Sequence, residues 1–193
     1  MFKVLTIDLD YIKSGIHLRE VNELFFDKVK TSKKVVFGKH HHLIIRDLWD
    51  KNDIVLHNVD NHHDIYYIDW QRTDIQNNKS SHGCWVGNLL HSRKLKSYTW
   101  YKNIDSTPIK PNEYGAELLL SYPVEFNVND DNLTEASYLE YDYLFVCDSP
   151  EYMVESFKTV YNIYRDYCKI NHPEKFKEAR ITPDVANARI TLS

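Results

Sequence analysis

Glycine is scarce in this chain, with five residues in 193. That leaves little material for Gly-dependent phosphate loops, whereas fourteen tyrosines and eight phenylalanines point to an aromatic-rich core. Cysteine is thin as well. Cys84, Cys147 and Cys168 are odd in number and far apart, which argues against a disulfide framework and fits a reducing cytosol. No long apolar run exists, so no membrane span is expected, and Phe2 to Leu9 leads straight into acidic residues without the pattern of a signal peptide. A basic excess is also missing. The net charge of -4 argues against wholesale nucleic-acid binding, which needs a basic face. A cytoplasmic protein with neither membrane nor nucleic-acid partners is therefore expected.

What is present reads as globular, at 42% hydrophobic and 27% charged residues, with a length that fits one domain over residues 1–193. Histidine is unevenly spread: eight of the ten fall between His40 and His91. No repeat, low-complexity block or linker interrupts the chain. Short apolar segments at 2–9 (FKVLTIDL), 34–37 (KVVF), 53–59 (DIVLHNV), 97–101 (SYTWY) and 141–147 (YDYLFVC) predict strands, and 116–126 is further strand material broken by Pro123. Helical spacing predicts helices over 18–30, 43–49, 85–95 and about 151–168, while 69–81 is polar and loop-like. Strands alternating with helices indicate an α/β fold of three layers, a mostly parallel sheet with helices on both faces. In such sheets ligands bind beyond the carboxyl ends of the strands.

Three groups of candidate metal ligands sit at those ends. Asp60-Asn61-His62-His63-Asp64 follows the 53–59 strand; in an extended segment residues two apart share a face, so Asp60, His62 and Asp64 should converge. Read alone, this motif is as easily a solvated strand end. Asp8-Leu9-Asp10 ends the first strand, and two buried carboxylates repel unless a cation lies between them. The same pair also fits the nucleophile motif of haloacid-dehalogenase-type phosphatases, which leaves Asp60 to Asp64 unexplained. Gly38-Lys39-His40-His41-His42 supplies imidazole, with the register between His40 and His41 open. Together the three groups hold the inventory for two divalent ions about 3.5 Å apart bridged by carboxylates. Mixed carboxylate and imidazole donors suit manganese better than a thiolate-rich zinc site does.

Taken as a set, these motifs resemble the ureohydrolase superfamily of arginase and agmatinase, whose members carry G-D-H, D-x-H-x-D and D-x-D motifs after strands. Lys39 stands in place of the superfamily's Asp, the D-x-D comes early, and the chain is short. A closer likeness is to the small peptide arginases, carried by His40-His41, Val55 to Asp64, Ser80-Ser81-His82-Gly83-Cys84-Trp85-Val86 and the LFVCDSPEY segment, over about residues 2–155. The resemblance implies an arginase-like fold. It further implies one Mn2+ on His40, Asp60, Asp64 and Asp8, and a second on His62, Asp60, Asp8 and Asp10. The substrate it implies is an arginine in a precursor peptide of a ribosomally made natural product, converted to ornithine with release of urea. Asp64 would orient the attacking water, and His82 would carry the proton, ahead of His91. Asp148 and Glu151 would hold the guanidinium, although Asp148-Ser149-Pro150-Glu151 reads equally well as a helix N-terminus. Competing expectations are an amidase or deacetylase on a related scaffold, which would need a catalytic Tyr or His pair, and a non-catalytic metal- and peptide-binding module. The polar tail from Thr182 to Ser193 would be loose or packed on a second copy, so a homo-oligomer stays open.

Overall fold

The computed structural model describes residues 1–179 and 189–192. The apolar segments form a seven-stranded sheet in which every strand pairing is parallel. Its strands are β1 (Phe2–Asp8), β2 (Lys34–Gly38), β3 (Ile54–Val59), β5 (Leu95–Lys102), β6 (Glu125–Asp130), β7 (Tyr143–Cys147) and β8 (Phe176–Glu178), in the spatial order β6-β5-β3-β1-β7-β2-β8. A second, two-stranded sheet pairs β4 (Lys79–Ser80) with β9 (Ile190–Thr191). The tail residues 180–188 and 193 lie outside the described residues; of the tail, Ile190 and Thr191 lie in β9, paired within this same chain.

Alternation along each strand feeds two cores, because successive side chains leave a pleated strand on opposite faces. Leu5, Ile7, Val35, Phe37, Leu144 and Val146 pack on one face against α1 (Gly15–Thr31) and α7 (Val160–Asn171). At the centre of that layer, the rings of Phe25 and Tyr164 stack 4.0 Å apart. Val4, Val36, Tyr98, Trp100, Tyr143 and Phe145 pack on the other face. The helices there are α2 (Ile45–Leu48), α3 (Asp69–Gln76), α4 (Trp85–His91) and α5 (Tyr114–Ser121). A short helix, α6 (Thr134–Tyr138), precedes β7. The three-layer α/β architecture is therefore as the pattern predicts. Among the described residues, no helix is long and apolar enough to cross a membrane.

Four segments differ from expectation. Residues 69–76 are helical although polar, because only Gln71, Asp74 and Ile75 are buried and the helix leaves no apolar stripe. Tyr114–Ser121 is a helix where strand is expected; a short apolar run does not distinguish the two, and Ala-Glu-Leu-Leu-Leu favours helix. Before α7, residues 155–157 form only a 3-10 turn, so the last helix starts nine residues later than its spacing suggests. Residues 41–48 split into a 3-10 turn (His41–Ile44) and the single turn α2.

Two adjacent strands send their chains to opposite faces: β1 runs into α1, whereas β3 runs into α3 and α4. This is a topological switch point, where the loops part and leave a crevice beyond the carboxyl ends. The loop leaving β3 is pressed against the start of α4, where the amides of Val86 and Gly87 donate to the Asp64 carbonyl at 3.0 and 3.4 Å. A Cβ on Gly87 would lie 2.2 Å from the Ile65 carbonyl oxygen. Gly87→Ala is expected to cost about 1–3 kcal/mol of unfolding free energy in urea titrations, through this backbone clash.

Candidate metal centre

The crevice holds six side chains from three loops: Asp8 and Asp10 after β1, His41 after β2, and Asp60, His62 and Asp64 after β3. Five are nearly inaccessible, with Asp60 and Asp10 at 1%, Asp8 at 3%, His41 at 4% and Asp64 at 5% exposure. Nδ1 of His41 lies 2.9 Å from Asp60 Oδ2, 3.1 Å from Asp64 Oδ2 and 3.3 Å from Asp8 Oδ2. Nδ1 of His62 lies 2.8 Å from Asp10 Oδ2 and 3.7 Å from Asp60 Oδ1. Two groups have donor atoms close enough to hold a metal ion, Asp8–His41–Asp60 and Asp10–Asp60–His62, and Asp60 belongs to both.

The convergence does not come from extended backbone. Strand β3 ends at Val59, and Asp64 takes a left-handed φ of 52°. Asp8 caps a 3-10 turn over Leu9–Tyr11 and accepts from the Asp10 amide at 3.1 Å. The loop after β3 folds onto its own carboxylate, with the His62 amide donating to Asp60 at 2.7 Å, and reaches the loop after β1, with the Asn61 amide donating to Asp10 at 3.2 Å. Other donors arrive from a distance in sequence. Ser149 Oγ donates to Asp8 at 2.6 Å and Trp85 Nε1 to Asp64 at 2.5 Å, while Asn58 Nδ2, two residues away, donates to Asp60 at 3.3 Å.

The histidine register resolves to His41. His40 is extended (φ -129°, ψ 134°) and precedes the 3-10 turn, and His41 opens the turn among the carboxylates. His40 lies apart from either donor group, against His82 at 4.7 Å between ring centres. His82 lines the cleft above the metal centre and also meets His42 at 4.2 Å. Burial holds His82 below the usual imidazole range, with His40 adding to the effect. His91 lies outside the cleft, bonded through Nδ1 to the Tyr122 hydroxyl at 3.0 Å.

Asp148 and Glu151 do not line the cleft; Ser149 and Tyr152 do. Asp148 and Ser149 amides donate to the Gly38 and Lys39 carbonyls, carrying the β2–β7 pairing past the strand end, and Ser149 at φ 40° directs its hydroxyl to Asp8. Glu151 is exposed. Sequence reasoning missed Ser149, Tyr67 and Gln71. Gln71 accepts from the Tyr67 amide at 2.6 Å and donates to the His82 carbonyl at 2.7 Å, tying the two cleft loops together. A Cβ on Gly83 (φ 74°) would meet Tyr67 at 2.9 Å, so this joint also requires glycine.

The electrostatics call for a cation. Burial, then Asp8 and Asp60, push the Asp10 carboxyl up to about 8. Burial, Asp64 and Asp8 also raise Asp60. Burial opposes charge on His62, but Asp10 and Asp60 outweigh it and lift this imidazole to about 11. His41 is raised for the same reason by Asp60, Asp64 and Asp8. Without metal the cluster thus holds protons to balance its carboxylates. His41 Nδ1 and Asp10 Oδ2 are nonetheless buried without an aligned hydrogen bond, although each faces an oppositely charged partner. Those orphaned donor atoms and the mixed oxygen–nitrogen set fit a bound divalent ion.

No known protein family, curated protein or solved structure matches this chain. The chemistry of the centre therefore rests on its own geometry.

A pH dependence follows. Asp10 binds its proton more tightly folded than unfolded between pH 3.8 and about 8, and His62 does so between 6.5 and about 11. Their stabilisation is complete below those lower limits and is lost as pH rises through the upper ones. The Tm of the metal-free protein is expected to fall from pH 6 to 9, while the Tm gain on adding Mn2+ grows over the same range. Trp85→Phe, which takes one donor from Asp64, should weaken metal binding about 10- to 100-fold in calorimetric titration.

Proposed function

We propose that this chain is a hydrolase using two divalent ions, and that it cleaves the guanidinium of an arginine side chain within a peptide, leaving ornithine and releasing urea. The observation that carries the metal-dependent part is the pair of buried donor groups sharing Asp60 at the floor of an open crevice. Four carboxylates with two neutral imidazoles match the charge of two divalent cations, which supports two ions over one. Manganese suits this donor set. When bound, such ions supply Lewis acidity and bring the pKa of water toward neutrality.

The residues of the chain divide the remaining work. Asp8, His41 and Asp60 would hold one ion, and Asp10, Asp60 and His62 the other. Asp64, fixed by the Trp85 indole, accepts a hydrogen bond from the attacking water. Water adds to the guanidinium carbon, and the carbon–nitrogen bond to the side chain breaks. His82 takes up the water's proton and returns it to the departing amine. The guanidinium substrate itself is supported by the resemblance of the motifs.

One observation favours a second reading. Among the described residues, no carboxylate lines the cleft besides Asp8, Asp10 and Asp64, all within the metal centre, while Tyr67 does line it, its hydroxyl accepting from the His63 amide at 2.7 Å. A cleft with a tyrosine and no spare anion also suits an amidase or deacetylase, in which a phenol would hydrogen-bond the oxyanion formed from a carbonyl.

Manganese-loaded protein incubated with an arginine peptide should show loss of CH2N2 from the peptide together with urea. Deacylation of an acetyl-lysine peptide, with the arginine peptide untouched, would favour the second reading. Full metal occupancy with neither product would leave a non-catalytic module. His82→Ala should lower kcat by about 100-fold or more at unchanged metal stoichiometry. Asp60→Ala should abolish metal binding, since Asp60 belongs to both donor groups.

A further inference from the structure

The start of α3 and the loop after β7 wall the cleft with apolar side chains that the metal centre does not use. On the β3 side, Ile68 is 47% and Trp70 42% exposed; on the β7 side, Tyr152 is 57% exposed. All three line the same cleft, of about 740 Å³, as Asp8, Asp10 and Asp64. Because β1 lies between β3 and β7, the two walls stand on either side of the carboxyl end of β1, where Asp8 and Asp10 sit. Singly exposed apolar residues are ordinary, but three bordering one anionic floor mark a binding surface.

Both aromatic walls are held in place. The Arg189 guanidinium lies 5.1 Å from the Trp70 ring centre and is itself paired with buried Asp74 at 2.9 Å. Tyr152 packs against the His62 ring at 5.3 Å, and its carbonyl accepts from Lys13 Nζ at 3.2 Å. Rigid aromatic groups lose little freedom on binding a ligand.

We propose that Ile68, Trp70 and Tyr152 form a subsite for the residues flanking the reacting one in a peptide substrate, and that it selects an aromatic or long aliphatic neighbour. The proposal rests on the hydrolase reading only in placing the reacting side chain over the Asp/His floor. A peptide is the occupant because of what the walls lack. A free amino acid would bring an ammonium and a carboxylate to this rim. Among the described residues lining the cleft, the only cation near Trp70 is Arg189, already paired with Asp74. Flanking peptide bonds and apolar side chains carry no such charge into contact with the walls.

The test is a fluorescence-anisotropy titration of manganese-loaded protein with labelled peptides carrying lysine in place of the reacting arginine, so that no guanidinium is consumed. The peptides differ only in the immediate neighbours of that lysine: phenylalanine, leucine, alanine or serine. The phenylalanine and leucine peptides should bind about 10-fold tighter than the alanine and serine ones. Trp70→Ala on α3 and Tyr152→Ala on the loop after β7, both checked by thermal melts, should each remove most of that gap, whereas Ile170→Ala on α7 should leave it intact. Equal affinity across the neighbour series in folded wild-type protein would overturn the subsite, even if urea release is observed. A neighbour-dependent affinity abolished by the wall variants would uphold it, even if no urea is ever released.

Discussion

Four carboxylates buried side by side are the constraint around which the crevice is organised. Unit charges about 4 Å apart interact by roughly 4 kcal/mol at the effective dielectric of a protein, so Asp8, Asp10, Asp60 and Asp64 would force one another apart if left alone. Every nearby element supplies something positive or polar to offset that repulsion. The 61 and 62 amides, the Ser149 hydroxyl and the Trp85 indole donate hydrogen bonds, and His41 and His62 supply imidazole. The donors come from after β3, from after β7 and from the start of α4. The parallel sheet makes this possible, since it brings the carboxyl ends of β1, β2, β3 and β7 to one edge.

Strands β1, β2, β3, β5 and β7 and the acidic residues that gather at their ends were legible in the sequence for the same reason. A strand buried on both faces leaves a continuous apolar run, and an aspartate at its end stands out against it. The helix α3 was not legible, because its fixing contacts are Gln71 hydrogen bonds to the 67–68 amides and the His82 carbonyl, which leave no periodic signal. Nor was the route by which the aspartates converge. Two-residue spacing suggested a shared strand face, whereas the chain bends at 60–64 and turns 3-10 at 9–11, with Asp64 in a left-handed conformation. Side-chain spacing in a loop depends on backbone torsions that neither composition nor periodicity encodes. Ser149 was hidden for a related reason: its role comes from a φ of 40° just past a strand end.

The three consecutive histidines show how such torsions divide labour. His41 enters the carboxylate cluster and is raised by it, while His42 is held down to about 3 by burial and by His82 and His40. Adjacent imidazoles are thus shifted in opposite directions within one 3-10 turn. His82 is lowered too, packed edge-on against His40 and His42 and lining the cleft. An imidazole beside a cluster of carboxylates would ordinarily be pulled toward its charged form. Burial opposes that pull, because charge there would be desolvated, and His40 adds to the effect. The histidine-rich segment therefore does two separate things: His41 joins the donor groups that could hold a metal ion, and His40 adds to the burial that lowers His82.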